Sequence, residues 1–428
     1  MTALVRPVLV LLVAMAMMMA GMGTLGTLLS VRMSDAAQPP LAIGIVMAGY
    51  FAGLTLGSLR AFALIRSVGH IRTFSALAAV LAAATLGHSI SGDLVLWGLL
   101  RFVSGFCMAG LFVCVESWLN HNATAQTRGQ ILSFYMISVY GGQGGGQFLL
   151  NLQDETGRLL YTIIAIVLAL ALVPVALTRQ TPPHLPDVRS FGFRRLYQAS
   201  PLGVFGTLIS GLVTGALYSL APAYARQLGY GNADTALFMS AAILGGVLLQ
   251  WPLGRLSDLF DRRKVLVVLF AVLVAVSAAM ALAGGIGFLW LLALVALFGG
   301  ITFALYPLCV AHTNDHLDPA DMVSASGGLV LGYSIGATAG PFGASVAMTW
   351  AGPPGLFLFC AAVAVASVAF GLWRMIARAP VPAELQGPFH VLTRTTPVAA
   401  PLDPRSATTD EDLPPNAPPV PALAVSGR

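Results

Sequence analysis

Long apolar runs alternate with short polar breaks along the whole chain up to about residue 376, and the runs have the length of membrane-spanning helices. A helix needs about 20 apolar residues, with a range of about 17 to 25, to cross a hydrocarbon core of about 30 Å. Twelve runs meet that length: 8–29, 41–65, 74–90, 94–119, 131–152, 159–177, 202–223, 236–256, 265–286, 288–310, 322–348 and 355–376. The weakest breaks are 88–93 and the glycines Gly284, Gly285 and Gly287. The first run is longer than the 7 to 15 apolar residues of a signal peptide, so it reads as a retained first helix.

Composition removes the alternatives. Hydrophobic residues make up 57% and charged residues 9%, whereas a soluble domain carries about a quarter charged. Too little polar surface remains to coat a water-soluble globule, and a disordered chain would be richer in charge. The net charge of +5 is carried by isolated residues, with clusters only at Arg194-Arg195 and Arg262-Arg263-Lys264. That pattern lacks the basic stripe of a nucleic-acid surface. Cys107, Cys114, Cys309 and Cys360 all fall in apolar runs. The first two lie about 10 Å apart along one helix, beyond disulfide reach.

Basic residues in the short loops set an orientation. With the N-terminus inside, the cytoplasmic side receives Arg6, Arg66, Arg72, Arg128, Arg179, Arg189, Arg194, Arg195, Arg255, Arg262, Arg263, Lys264, Arg374 and Arg378, and the other side only Arg32, Arg158 and Arg226. Both termini are therefore expected in the cytoplasm, in a multi-pass protein of the cell (inner) membrane.

The chain is also bipartite. The expected units are an N-terminal six-helix half (1–178), a cytoplasmic central loop (179–200), a C-terminal six-helix half (201–376) and a disordered proline-rich cytoplasmic tail (377–428), which holds 11 of the 26 prolines. Landmarks repeat about 195 residues apart: Gly57 with Arg66 and Arg72 anticipates Gly254 with Arg262 and Arg263, and Gly141 to Gly146 anticipates Gly332, Gly336 and Gly340. Two parallel repeats place a cavity at their interface near the membrane midplane. The fold class is an all-α integral membrane protein with 12 transmembrane helices in two pseudo-symmetric halves.

The most specific motif is GRLSDLFDRRKVL, from Gly254 to Leu266. Topology alone explains its arginines but not Asp258, which would bond neighbouring helix ends. Here the sequence resembles the major facilitator superfamily (MFS), whose loop signature GxLaDrxGRRxxL is matched by Gly254, Leu256, Asp258, Arg262 and Arg263, with Asp261 in place of glycine. The first-half copy is degenerate, with Arg66 at the acidic position if Gly69 takes the second glycine. The stretches YFAGLTLG, RFVSGFCMAGLFVCVESWL, TRGQILSFYM, GQFLL, LLQWPLGRLSDLFDRR and FALYP are similar to the YcaD-like subfamily over about residues 1–375. The resemblance implies a secondary transporter working by alternating access, with a cavity lined by the first, fourth, fifth, seventh, tenth and eleventh spans. Asp258 would then lock the outward-facing state.

Arg101 is the strong charge well inside an apolar run, which makes it a functional-site candidate facing a cavity or partner. Arg101 and Gly105 also match the superfamily's RxxxG signature, associated with the substrate or coupling-ion path. Tyr140, Gln143 and Gln147, within or beside the run GGQGGGQ, are buried polar groups needing partners, and Gln250, Tyr306 and Tyr333 follow by the same logic. Glu116 and Arg128 form a candidate ion pair that would stiffen the loop between them. In lipid the glycine runs read as close-packed seams where helices rock, and Gly340-Pro341 resembles the motif of exporters. GMGTLG and GYSIG sit inside apolar helices, so they mark neither a dinucleotide site nor a nucleophile elbow. The loop with His312, Asp315, His316, Asp318 and Asp321 reads as solvated rather than as a metal site. With no Walker loop and no HExxH, the expected protein is not an enzyme and needs no cofactor or metal. It is a monomeric carrier of a small molecule, for efflux or for anions, with protons as a candidate coupling ion through Glu116 or His88. The alternatives are a non-transporting sensor and an intramembrane lipid-modifying enzyme.

Overall fold

The computed structural model describes residues 8–124, 126–152, 157–177, 191–377, 381–382, 386–403 and 405. Arg6, residues 179–190 of the central loop, Arg378 and residues 406–428 of the tail lie outside them. Among the described residues there are twelve long helices: α1 (Leu9–Asp35), α2 (Pro40–Val68), α3 (His70–Gly87), α4 (Leu94–His121), α5 (Arg128–Gly146), α6 (Leu159–Ala176), α7 (Pro201–Gln227), α8 (Asn232–Leu259), α9 (Arg262–Ala281), α10 (Phe288–Asn314), α11 (Pro319–Ala351) and α12 (Gly355–Ala377). Eleven are long and apolar enough to cross a membrane by length and composition. The exception is α5, whose glycines and Gln143 dilute its hydropathy. Its last turns also differ from the expected span: the α-helix stops at Gly146 and continues as a 3₁₀ turn, Gln147–Leu152. Glycine favours the helix poorly, and a tightened end is its usual outcome.

Local chemistry fixes the helix ends. Asp93, Ser200 and Asp261 cap α4, α7 and α9, each side chain accepting from a backbone N–H in the first turn. Between α2 and α3 the chain reverses at one residue, Gly69 at φ +93°, and Gly285 at φ +91° breaks α9 from α10. A side chain at either would be strained.

The two halves repeat one packing scheme. In the first, α1 packs on α5 and α6, α2 on α4, and α3 on α4 and α6; in the second, α7 packs on α11 and α12, α8 on α10, and α9 on α10 and α12. Between halves, α2 meets α11, α8 meets α5, and α1 meets α7. This is the expected twelve-helix arrangement in two matched halves. The glycine seams run mostly within each half. A Cβ on Gly142 or Gly146 would strike the α1 backbone at Ala16 or Ala20, and one on Gly336 or Gly340 would strike α7 at Leu208 or Leu212. Large apolar side chains such as Leu59, Leu248, Leu289 and Trp350 stand exposed on the outer surface, where hydrocarbon rather than water suits them.

At the end of the bundle away from the Asp258 loop, the halves touch directly. Ser30 Oγ donates to the Ser219 carbonyl at 2.8 Å, and Arg226 Nε donates to Asp35 at 2.8 Å. At the end bearing the Asp258 loop, called the basic end below, a segment of the tail lies between them.

Candidate functional site

A cavity of about 120 Å³ lies between the halves, walled by α1, α2, α4, α5, α7 and α11 and closed at the basic end by Thr393, Arg394 and Thr395. Arg101 projects into it from α4 and is 4% exposed. Its guanidinium stacks 4.4 Å from the Tyr50 ring centroid. Among the described residues, Arg101 Nε and Nη1 have no hydrogen-bond partner. Cation–π contact covers the face of the guanidinium and leaves its edge N–H groups free.

The polar wall opposite is a relay of amides and hydroxyls. Tyr218 donates to Gln143 Oε1 at 3.1 Å, Thr27 donates to Gln147 Oε1 at 2.6 Å, and Gln147 Nε2 donates to the Gln143 carbonyl at 3.2 Å. Tyr140 stacks on Phe303 with centroids 5.6 Å apart, and Tyr306 meets Tyr333 edge-on at 5.2 Å. Arg101, Tyr140, Gln143, Gln147 and Tyr333 are thus gathered around one cavity. Tyr306 lies behind it, on a smaller cleft beside the tail. Gln250 does not reach it: its amide donates to the Phe303 carbonyl at 3.1 Å, tying α8 to α10. His88 sits at the far end of α3, its ring parallel to that of Tyr161 and its Nδ1 bonded to the Ala84 carbonyl.

The tail was expected to be disordered; its described residues 386–403 lie against the bundle. They run as a strap across the basic end. Phe389 N–H donates to both Asp258 oxygens, at 2.9 and 3.2 Å, and Gly387 N–H donates to Asp315 at 3.2 Å. Arg394 then enters the cavity, its guanidinium 4.4 Å from the Phe303 ring centroid and 5.6 Å from that of Tyr333. Thr395 and Thr396 donate their hydroxyls to Glu116, and Asn120 donates to the Val398 carbonyl. A 3₁₀ turn, Pro397–Leu402, buries Val398, Ala399 and Leu402. Prolines, acidic residues and the lack of an apolar run suggested no fold, but this stretch carries apolar side chains and hydroxyls that the bundle satisfies.

The strap explains the signature loop. Arg262, 1% exposed, bridges Asp258 at 2.8 Å and the buried Asp315, and donates to the Gly387 carbonyl at 2.9 Å. Burial pushes the Asp315 carboxyl up, against the pull of Arg262. Arg263 pairs at 3.0 Å with Asp261; burial opposes ionisation there, but the bonds from Arg263 and the charge of Lys264 hold the carboxyl below its usual range. A Cβ on Gly254 would run into the Phe389 ring. Asp258 thus bonds Arg262 at the start of the neighbouring helix α9 and, in addition, the backbone of the tail. Glu116, fully buried, accepts from Tyr135 at 2.9 Å and from the two strap threonines. Those hydroxyls, rather than Arg128 at the start of α5, are its partners.

Sequence reasoning missed Tyr50, Tyr218, Phe303, Asp315 in its bridging role, and Arg394. For Arg394 a signal existed in LTRTT, a basic residue among hydroxyls inside an apolar stretch. For the aromatics there was none, since they stand among the other apolar residues of their helices.

Comparison with known proteins fits this geometry. The profile of the Major Facilitator Superfamily matches residues 11–202 and again 203–406. The chain is 31% identical over 370 residues to the "Uncharacterized MFS-type transporter YcaD" of Salmonella enteritidis PT4, covering 84% of this chain and 93% of that protein, and equally so to its counterpart in Salmonella heidelberg. The fold is similar to that of the nucleoside transporter NupG, at a TM-score of 0.68 and 13% identity over 86% of this chain and 98% of that one. It is also similar to a bacterial homolog of the human lysosomal transporter Spinster in an inward-facing and occupied conformation, at a TM-score of 0.67 and 15% identity over 96% and 98%. With both halves matched and relatives aligned over nearly their full length, the chain belongs to the major facilitator superfamily.

Proposed function

We propose that the chain is a secondary transporter that carries a small solute across the cell membrane by alternating access, acting as a monomer with both termini in the cytoplasm. The solute carries an anionic group that Arg101 orients, and the direction that suits the Gly340-Pro341 motif is efflux. The carrying observation is Arg101 itself: a buried guanidinium with two unpartnered nitrogens beside a cavity between the halves. A charge held at membrane depth is costly unless it faces water or a partner, and an oxyanion is the partner its free edge fits. With the basic end cytoplasmic, direct contact at the far end and the strap at the near end correspond to an inward-facing state with its mouth covered. Among the described residues no Asp or Glu lines the cavity, so proton coupling falls to Glu116 just beyond it.

The test is flux of a panel of small organic and inorganic anions in liposomes containing the purified protein, beside Arg101→Ala. Expected is saturable flux of at least one anion, reduced by a hundredfold or so in the variant, the scale for loss of a bidentate charge-assisted contact. Flux that ignores the substitution removes the arginine from the solute path. The strap inside the cavity also favours a second reading, a sensor whose tail is its output. Ligand-dependent tail release without flux of any solute in the panel selects that reading.

A further inference from the structure

We propose that Arg394 of the tail and Arg101 of α4 together form a clamp for a small oxyanion, so that the strap supplies part of the binding site rather than a stopper for it. This rests on the anion reading above and extends it to a residue outside the twelve helices.

Both guanidiniums are held in the same way. Each has an aromatic ring 4.4 Å from its centre, Tyr50 for Arg101 and Phe303 for Arg394. Each lines one cavity and carries buried nitrogens without a partner: Nε and Nη1 of Arg101, and Nη1 of Arg394, have no hydrogen-bond partner among the described residues. The remaining contact of Arg394, Nη2 to the Tyr218 hydroxyl, is long at 3.5 Å. A ring over the face holds the planar cation while leaving its edge to receive a planar or tetrahedral oxyanion, as arginine does at carboxylate and phosphate sites.

Charge balance points the same way. Burying two cations in one apolar cavity is unfavourable without an anion. Among the described lining residues there is no carboxylate. The adjacent one, Glu116, spends its oxygens on the hydroxyls of Thr395, Thr396 and Tyr135. Those bonds position the residue next to Arg394, and one carboxylate offsets at most one of the two cations. The ligand class is a carboxylate, sulfate or phosphate group on a small body, since about 120 Å³ remains with the strap in place. Binding then couples to the tail: an anion held by both arms fastens the strap, and its departure loosens the strap.

The experiment is a thermal-stability titration of the purified full-length protein with acetate, benzoate, sulfate and inorganic phosphate, at constant ionic strength set with chloride. It is run on wild type, Arg101→Ala, Arg394→Ala and Arg394→Lys, first in delipidated detergent and then with added phosphatidylglycerol. Expected is stabilisation of the wild type by at least one oxyanion, with apparent affinity falling about tenfold to a hundredfold in both alanine variants, the range for hydrogen bonds to a charged group. Arg394→Lys falls between, because charge survives while stacking and the two-pronged edge do not. Arg394 lies outside every helix, so equal melting temperatures without anion show that its variants fold. Tighter binding in Arg394→Ala than in wild type makes the strap a competitor, which overturns the clamp and leaves Arg101 as an anion site. Indifference of all variants, or no stabilisation by any probe, overturns both. A response that appears only with phosphatidylglycerol keeps the clamp and assigns the oxyanion to a lipid headgroup.

Discussion

The two ends of the bundle are closed by different means. At the end away from the Asp258 loop, α1 touches α7 through Ser30 and Ser219, and Asp35 meets Arg226 near the surface. At the basic end the strap bridges the halves, gripping Asp258, Arg262 and Asp315 in one and Glu116 and Asn120 in the other. Among the described residues the polar contacts at the first end are few, one buried and one exposed, whereas those at the second are more numerous and mostly part-buried. A closure made by helices can open only as the halves rock, but a closure made by a strap can open while the halves stand still. The difference separates access to the cavity at the basic end from the rocking motion itself.

The largest effect is expected where buried charge is concentrated. Arg262 is 1% exposed and compensates Asp315, which is 2% exposed, as well as Asp258. Arg262→Ala leaves a buried carboxylate without its cation, a loss of about 3 to 5 kcal/mol, and removes the bond to the Gly387 carbonyl. The variant should melt well below wild type, and the tail should become sensitive to protease before the helices do. If protease cuts the tail no faster, the strap is held by its threonines and its apolar turn instead, and the comparison between the ends loses its electrostatic half.

How much of this was readable in the sequence follows from what each residue's signal depends on. The twelve helices were legible because hydrocarbon demands about 20 apolar residues from each, and the halves were legible because landmarks recur at a fixed offset. Arg101 was legible because a charge in an apolar run is rare. Gln143 and Gln147 stood out on the same ground, while Gln250, equally polar and buried, turned out to tie α8 to α10. Nothing local distinguishes these cases, since what decides is which way a helix faces. The strap was hidden for a different reason: Phe389, Val398 and Leu402 are too few to signal a core, and their partners, Gly254 and the clefts between helices, exist only after the bundle forms.

A milder change isolates the strap from the latch. At Gly254 the absent side chain makes the seat for the Phe389 ring, whose atoms are the three nearest that an added Cβ would meet. Gly254→Leu should leave the bundle intact or slightly firmer, since leucine favours a helix by up to about 1 kcal/mol over glycine, while displacing Phe389. Thr27, which lines the cavity, supplies the readout: in a Thr27→Cys background a polar maleimide should label the cavity several-fold faster with Gly254→Leu than without it. Equal labelling would mean that Phe389 is not needed to keep the mouth covered, and the strap would then have to be anchored from Arg394 onward.

The smallest effect belongs to the opposite end, and its smallness sharpens the contrast. The Asp35 and Arg226 side chains are 38% and 24% exposed, so water screens their attraction, and an exposed pair of this kind contributes about 0 to 1 kcal/mol. Asp35→Asn should therefore leave the melting temperature almost unchanged. It should nevertheless shift the balance between open states, because this contact spans α1 and α7 and is broken whenever the far end opens, whereas the strap's grip is not. A cysteine at Ser219, beside the Ser30 contact, should be labelled modestly faster by a polar maleimide applied from the far side when Asp35→Asn is present, and that gain should fade at high salt in the wild type background as screening weakens the native pair. If labelling from the basic end rises by the same factor, the two closures are mechanically coupled and the strap opens only with the halves.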